Sequence, residues 1–174
     1  MDPGAEAEFT EFMHGRWSRL VRLGYGLTGD LGLAEDLAQT ALAKAFASWP
    51  RVRRAGDPDA YVRRIMVNAN SSRFRKRRVH EHFMDTVPDI FPEPGTAGVA
   101  DMTRRQDDRS ALMAALMDLP LGQRAVVVLR YWMDMTETEV AVTLGCSVGN
   151  VKSQASRALA KLRLSPDLAE GKLP

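Results

Sequence analysis

An all-α fold of two helical domains joined by a flexible linker follows from three features of the sequence. Almost every apolar stripe recurs at helical spacing, no stretch alternates as a strand does, and one proline- and glycine-containing stretch interrupts the pattern. Phe9 to about Leu27 predicts the first helix, with Phe12, Leu20, Leu23 and Leu27 as core candidates, and Thr28-Gly29-Asp30 breaks it. Leu31 to Trp49 predicts the second. Leu33, Leu37, Ala41, Ala45 and Trp49 recur every four residues, Leu42 and Phe46 widen the stripe, and Pro50 ends it. Residues 50–57 read as a loop. Asp57 then caps a third helix, with Pro58 at the first position, where a missing N–H costs nothing. That helix runs to about Arg78, with Tyr61, Val62, Ile65, Met66 and Ala69 inward.

From about His82 to Gln106 the pattern stops at Pro88, Pro92, Pro94, Gly95 and Gly98, and Asp85, Asp89, Glu93 and Asp101 make the stretch acidic. Helices resume over 107–118 and 121–133. The expected division is a disordered tail at 1–8, a helical domain at 9–81, an acidic linker at 82–106, a second domain at 107–165 and a tail at 166–174.

The last third of the chain carries the sharpest motif. Thr136 and Glu139 have the spacing of a capping box, Gly145 suits the left-handed position that closes a helix, and Ser147 can cap the next. Val140, Ala141 and Leu144 form one apolar stripe, and Val148, Val151, Ala155, Leu159 and Leu162 another. The second helix turns Asn150, Lys152, Ser153, Ser156 and Arg157 outward. A helix-turn-helix presents such a face to the DNA major groove. A capped helical hairpin with a basic face also occurs in proteins that never touch DNA, so the rest of the chain must decide.

Charge is segregated along the chain although the formal net charge is only +2. Ten Lys/Arg against two acids lie between Arg51 and His80, whereas the first fifty residues carry seven acids and four Lys/Arg. Arg73-Phe74-Arg75-Lys76-Arg77-Arg78 exceeds what a solvated helix end needs and points to phosphate contact. Trp49, Tyr61 and Phe74 interleave with these cations. Each ring can stack on an unpaired base or fill a core, and for Trp49 and Tyr61 the apolar stripe favours the core. The single Cys146 excludes an internal disulfide and fits a reducing compartment. No apolar run is long enough to span a membrane, and the acidic start lacks the pattern of a secretory signal, so a cytoplasmic protein without membrane insertion is expected. His14, His80 and His82 share no ligand spacing with carboxylates, and no phosphate-cradling glycine loop occurs. No catalytic, metal or cofactor role is expected.

Two domains in this order resemble a bacterial RNA polymerase sigma factor of the small extracytoplasmic-function type. Three stretches carry the likeness. Ala34-Glu35-Asp36-Leu37-Ala38-Gln39-Thr40-Ala41-Leu42-Ala43-Lys44-Ala45-Phe46 looks like the family's region 2.2. Asp59-Ala60-Tyr61-Val62-Arg63-Arg64-Ile65-Met66-Val67-Asn68 with its arginine run looks like regions 2.3 and 2.4. Leu119-Pro120-Leu121-Gly122-Gln123-Arg124 with the helix-turn-helix looks like region 4.

The resemblance implies a specificity subunit without catalysis of its own, docking on the β and β′ subunits of core RNA polymerase and on promoter DNA, with an anti-sigma factor as a further partner. It implies that Asp36, Leu37 and Gln39 meet core polymerase. Arg51, Arg53, Arg54, Asp57, Tyr61, Arg64, Asn68, Arg75, Arg77 and Arg78 would bind the −10 element. Asn150, Lys152, Ser153, Gln154, Ser156 and Arg157 would bind the −35 element. The chain departs from the family at Gln154, where many members carry arginine: Gln pairs with adenine and Arg with guanine, unless Gln154 faces away from the bases. Two other readings stay open on the residues alone. A stand-alone regulator would explain 107–165 but not 30–80, and a helical scaffold would not explain the cations.

Overall fold

The computed structural model describes residues 2–83 and 100–169, and the side chains of 77–83, 100–108, 167 and 169 lie outside that description. Helix α1 (Pro3–Thr28) begins earlier than the sequence predicts. Asp2 occupies the N-cap in extended conformation and Pro3 the first turn, so the start signal lies six residues before Phe9. Ala5 and Phe9 are buried, and Glu8 pairs with Arg53 at 2.6 Å. The expected disordered tail at 1–8 is therefore corrected: residues 3–8 are helical and tied to the bundle. Gly29 closes α1 at φ 71, its N–H on the Tyr25 carbonyl.

Helix α2 (Leu31–Ala47) starts at Asp30, whose carboxylate accepts from the Leu33 N–H. It buries Leu37, Ala38, Ala41, Leu42 and Ala45. The expected loop at 50–57 is mostly the short helix α3 (Trp49–Arg54), because Pro50 falls in its first turn rather than ending α2. Trp49 and Val52 anchor it, with Trp49 edge-on to Phe9 at 5.0 Å. Helix α4 (Pro58–Phe83) starts as expected at Asp57, which accepts from the Ala60 N–H, and buries Val62 and Met66. Tyr61 is 37% exposed, which corrects its placement on the inner face. An ion pair from Arg16 to Asp59 at 2.8 Å ties α1 to α4.

The expected linker at 82–106 is narrower at both ends. Helix α4 runs to Phe83 and α5 (Ala100–Met117) begins at Ala100, because neither flank contains the prolines and glycines that break the centre. Residues 84–99, with most of its acids, lie outside the described residues. Helix α6 (Leu121–Val127) passes into a π-helical turn, Val128–Trp132, closed by the Met133 N–H on the Val128 carbonyl at 2.9 Å. Helices α7 (Glu137–Leu144), α8 (Val148–Arg163) and α9 (Pro166–Ala169) follow. Since α9 is helical, the expected tail at 166–174 begins with one more helical turn.

Helices α1–α4 pack as one bundle and α5–α9 as another, yet their apolar faces meet in one core. Leu23 and Leu27 of the first bundle cluster with Val128, Leu129, Val140 and Val151 of the second. A smaller cluster of Ala115, Leu116, Leu119, Val127, Ala158 and Leu162 closes the far side of the second bundle.

Candidate nucleic-acid and polymerase interface

The helix-turn-helix is built as its sequence dictates. The Thr136 hydroxyl accepts from the Glu139 N–H at 3.2 Å, and the Glu139 carboxylate accepts from the Thr136 N–H at 2.7 Å. Those bonds to Thr136, the backbone one foremost, hold the Glu139 carboxyl below its ordinary range, with the charges of Arg63 and Arg19 adding to the effect. Gly145 takes φ 67, and Ser147 accepts from the Asn150 N–H. Val151, Ala155, Ala158 and Leu162 then bury one face of α8. Asn150, Lys152, Ser153, Ser156 and Arg157 are exposed on the other, and Gln154 is half-buried beside them. Lys152 lies 3.7 Å from Glu137, a surface pair that leaves its side chain 64% exposed.

The first bundle gathers two expected sites around one depression. Between α2 and α4 lies a cavity of about 490 Å³, lined by Asp36, Leu37, Lys44, Asn68, Arg73 and Lys76 among others. Asp36 and Asn68 line it from exposed positions, Leu37 is buried and forms part of the floor, and Gln39 is exposed on α2 but is not among the lining residues. Sequence reasoning passed over Lys44 and Thr40, although their four-residue spacing from Asp36 puts them on the same helix face. The basic end extends beyond it: Phe74 and Arg75 are exposed, as is the lining residue Lys76, and the side chains of Arg77 and Arg78 lie outside the described residues.

Arg51, Arg53, Arg54, Asp57 and Tyr61 are exposed along α3 and the start of α4. Arg53 is engaged by Glu8, and Asp57 is committed to its cap. Trp49 is 2% exposed and belongs to the core, while Tyr61 and Phe74 remain available for stacking. Arg64 stands apart from this group. Its guanidinium reaches the second bundle and donates to the carbonyls of Val142 and Thr143 at 2.9 and 3.1 Å.

Sequence reasoning also missed Arg124, which is buried and satisfied entirely by carbonyls. It donates to Leu116 at 2.9 Å and Leu119 at 3.2 Å, to Met117, and across to Leu27 of the first bundle at 3.0 Å. Burial pushes the guanidinium below its ordinary value, with the Asp118 carboxylate pulling the other way, yet Arg remains charged. No periodicity marks such a residue, since its partners are helix ends brought together by the fold.

Comparison with known proteins agrees with this construction. Residues 16–79 match Sigma-70 region 2, and residues 109–162 match Sigma-70, region 4. The RNA polymerase sigma-E factor of Streptomyces antibioticus is 40% identical over 163 residues, covering 94% of this chain and 87% of that one. The ECF RNA polymerase sigma factor SigM of Mycobacterium tuberculosis is 33% identical over 151 residues, 86% of this chain and 70% of that one.

Among solved structures, the sigma factor RpoE of Bartonella quintana, in complex with the anti-sigma factor NepR, superposes with a TM-score of 0.71 at 25% identity. The match spans 95% of this chain and 99% of that one. CnrH, in complex with the cytosolic domain of CnrY, shares the fold with a TM-score of 0.63 at 22% identity, over 95% and 91% of the two chains.

A region 2 bundle followed by a region 4 helix-turn-helix defines the sigma-factor class. The chain belongs to the sigma-70 family, in its extracytoplasmic-function branch. It is a sigma factor that directs promoter-specific transcription initiation by RNA polymerase.

Proposed function

We propose that the two bundles divide the work of initiation. Residues 9–81 hold core polymerase and the −10 element, and residues 107–165 read the −35 element. Asp36, at the depression, and Gln39, exposed on the same helix α2, contact the β′ subunit, with Leu37 in the floor beside Asp36. Arg51, Arg53, Arg54, Asp57 and Tyr61 form the reader of the −10 strand, with Tyr61 stacking on an exposed base. Arg64, Arg75, Arg77 and Arg78 neutralise phosphates, and Asn68 hydrogen-bonds along the edge of the duplex. Asn150, Lys152, Ser153, Gln154, Ser156 and Arg157 meet the −35 element in the major groove.

The observation that carries the reading is the exposed polar face of α8 on the same chain as a basic, ring-bearing first bundle. The subunit contributes sequence-dependent binding energy and no chemistry of its own. Two weak readers on one chain gain from effective concentration once polymerase holds the first of them. An anti-sigma factor covers the polymerase-binding face, in keeping with the anti-sigma complex of the Bartonella relative. No described helix is long and apolar enough to cross a membrane, and the place of work is the cytoplasm, where core polymerase and promoter are.

In vitro transcription with purified core enzyme and a genomic promoter library tests the reading. The expected result is transcripts from a discrete promoter set that appear only with this chain. Transcription no different from that of core alone would refute it.

A further inference from the structure

We propose that the second bundle holds a binding site for an aliphatic carboxylic acid of medium chain length. None of its residues belongs to the promoter and polymerase contacts proposed above, so the site is tested without either partner. Helices α5, α6, α8 and α9 and the π-helical turn surround a cavity of about 540 Å³. Well-packed interiors keep few voids larger than a water molecule, whereas small-molecule sites occupy about 300–1,000 Å³. Leu112 and Leu116 stand one turn apart on α5, as do Leu159 and Leu162 on α8, so each helix turns a pair of leucines to the same hollow. The π-helical turn adds Tyr131 and Trp132. Such turns are rare and occur frequently at functional sites.

The chemistry of the wall selects the ligand. Its described side chains are aliphatic apart from Tyr131, Trp132 and Arg163, and no carboxylate is among them. The indole N–H of Trp132 is buried and has no hydrogen-bond partner among the described residues. Arg163, exposed at the last position of α8, is a permanent cation that only donates. Tyr131, 54% exposed, adds a hydroxyl that both donates and accepts. The complement of such a wall is an alkyl chain that ends in negatively charged acceptor oxygens. A cationic head would meet Arg163 with no carboxylate from the wall to offset it. A sugar would bury hydroxyl donors among leucines. A carboxylate matches the guanidinium fork with two parallel bonds while its chain covers the leucines, and Trp132 is a second donor in the same wall.

Equilibrium dialysis of the full chain against radiolabelled decanoate tests the site at neutral pH, where the probe is ionised. Saturable binding of one decanoate per chain is expected. Unlabelled 1-decanol, which has the chain without the charge, should compete at least about tenfold less well than unlabelled decanoate. Hexanoate, which has the charge on a shorter chain, should also compete at least about tenfold less well. Arg163→Gln, at an exposed position, should weaken decanoate at least about tenfold. Leu159→Trp, which fills the cavity, should abolish binding.

Absence of saturable binding at millimolar decanoate overturns the site. So does binding that Arg163→Gln leaves unchanged, or that a folded Leu159→Trp leaves unchanged. Should Leu159→Trp fail to fold by circular dichroism, Arg163→Gln decides alone. Two further outcomes assign the cavity elsewhere and overturn the site as well. One is sedimentation of the chain with phosphatidylglycerol vesicles while free decanoate stays unbound, which points to a membrane surface. The other is dimerisation that Leu159→Trp abolishes, again with decanoate unbound, which points to a second copy of the chain.

Discussion

Glu139 is exposed, yet Thr136 binds its carboxylate at both the backbone and the hydroxyl. Its ionised form is favoured in the folded chain, so its folded pKa lies below the unfolded one. The sign follows: its contribution is fully present above the unfolded value of about 4.3 and is lost as pH falls through the folded one. The stability difference between wild type and Glu139→Gln should therefore hold steady from about pH 7 to 5 and shrink below about pH 4 in urea titrations. Thr136→Ala removes the other half of the box and should cost about 1 kcal/mol by the same measurement. Arg124 is the costlier residue to lose. Arg124→Met strands buried carbonyls at the ends of α1 and α5, and a loss of about 3 kcal/mol is expected on urea unfolding.

At the scale of elements, local signals are the legible ones. Asp57, Thr136 and Ser147 cap helices and Gly145 takes the left-handed turn as expected, while Asp30, read only as part of a break, also caps α2. These devices act within four residues, so they are visible without the fold. The starts of α1 and α5 and the existence of α3 escape the sequence reading. Proline marks a helix start as well as a helix stop, and at Pro3 and Pro50 it marks a start. The exposed face of α8 follows from its period. The half-burial of Gln154 does not, because it depends on a packing angle that no spacing states. Lys152→Ala with Arg157→Ala should weaken −35-dependent initiation. It should also reduce the slope of log affinity against log salt by about 0.9 for each phosphate no longer neutralised. Asp36→Ala with Gln39→Ala should leave that slope unchanged and weaken core polymerase binding by about tenfold in a competition titration.

At the scale of the whole molecule, the meeting of the two bundles is invisible to sequence reasoning. Arg22, Arg64 and Arg124 lie at ordinary helical positions, and only the fold brings them to helix ends 78 to 110 residues away. The sequence shows which faces are apolar but not which apolar face covers which. The central claim is that this chain reads a promoter as a subunit anchored to core polymerase. Its most direct test is titration of promoter duplex with the chain alone and with the chain plus core enzyme, against a scrambled duplex at the same salt. The account predicts that the chain alone binds both duplexes weakly and alike, and that core enzyme makes the promoter complex at least about tenfold tighter than the scrambled one. Equal, sequence-specific affinity with and without core enzyme would contradict it.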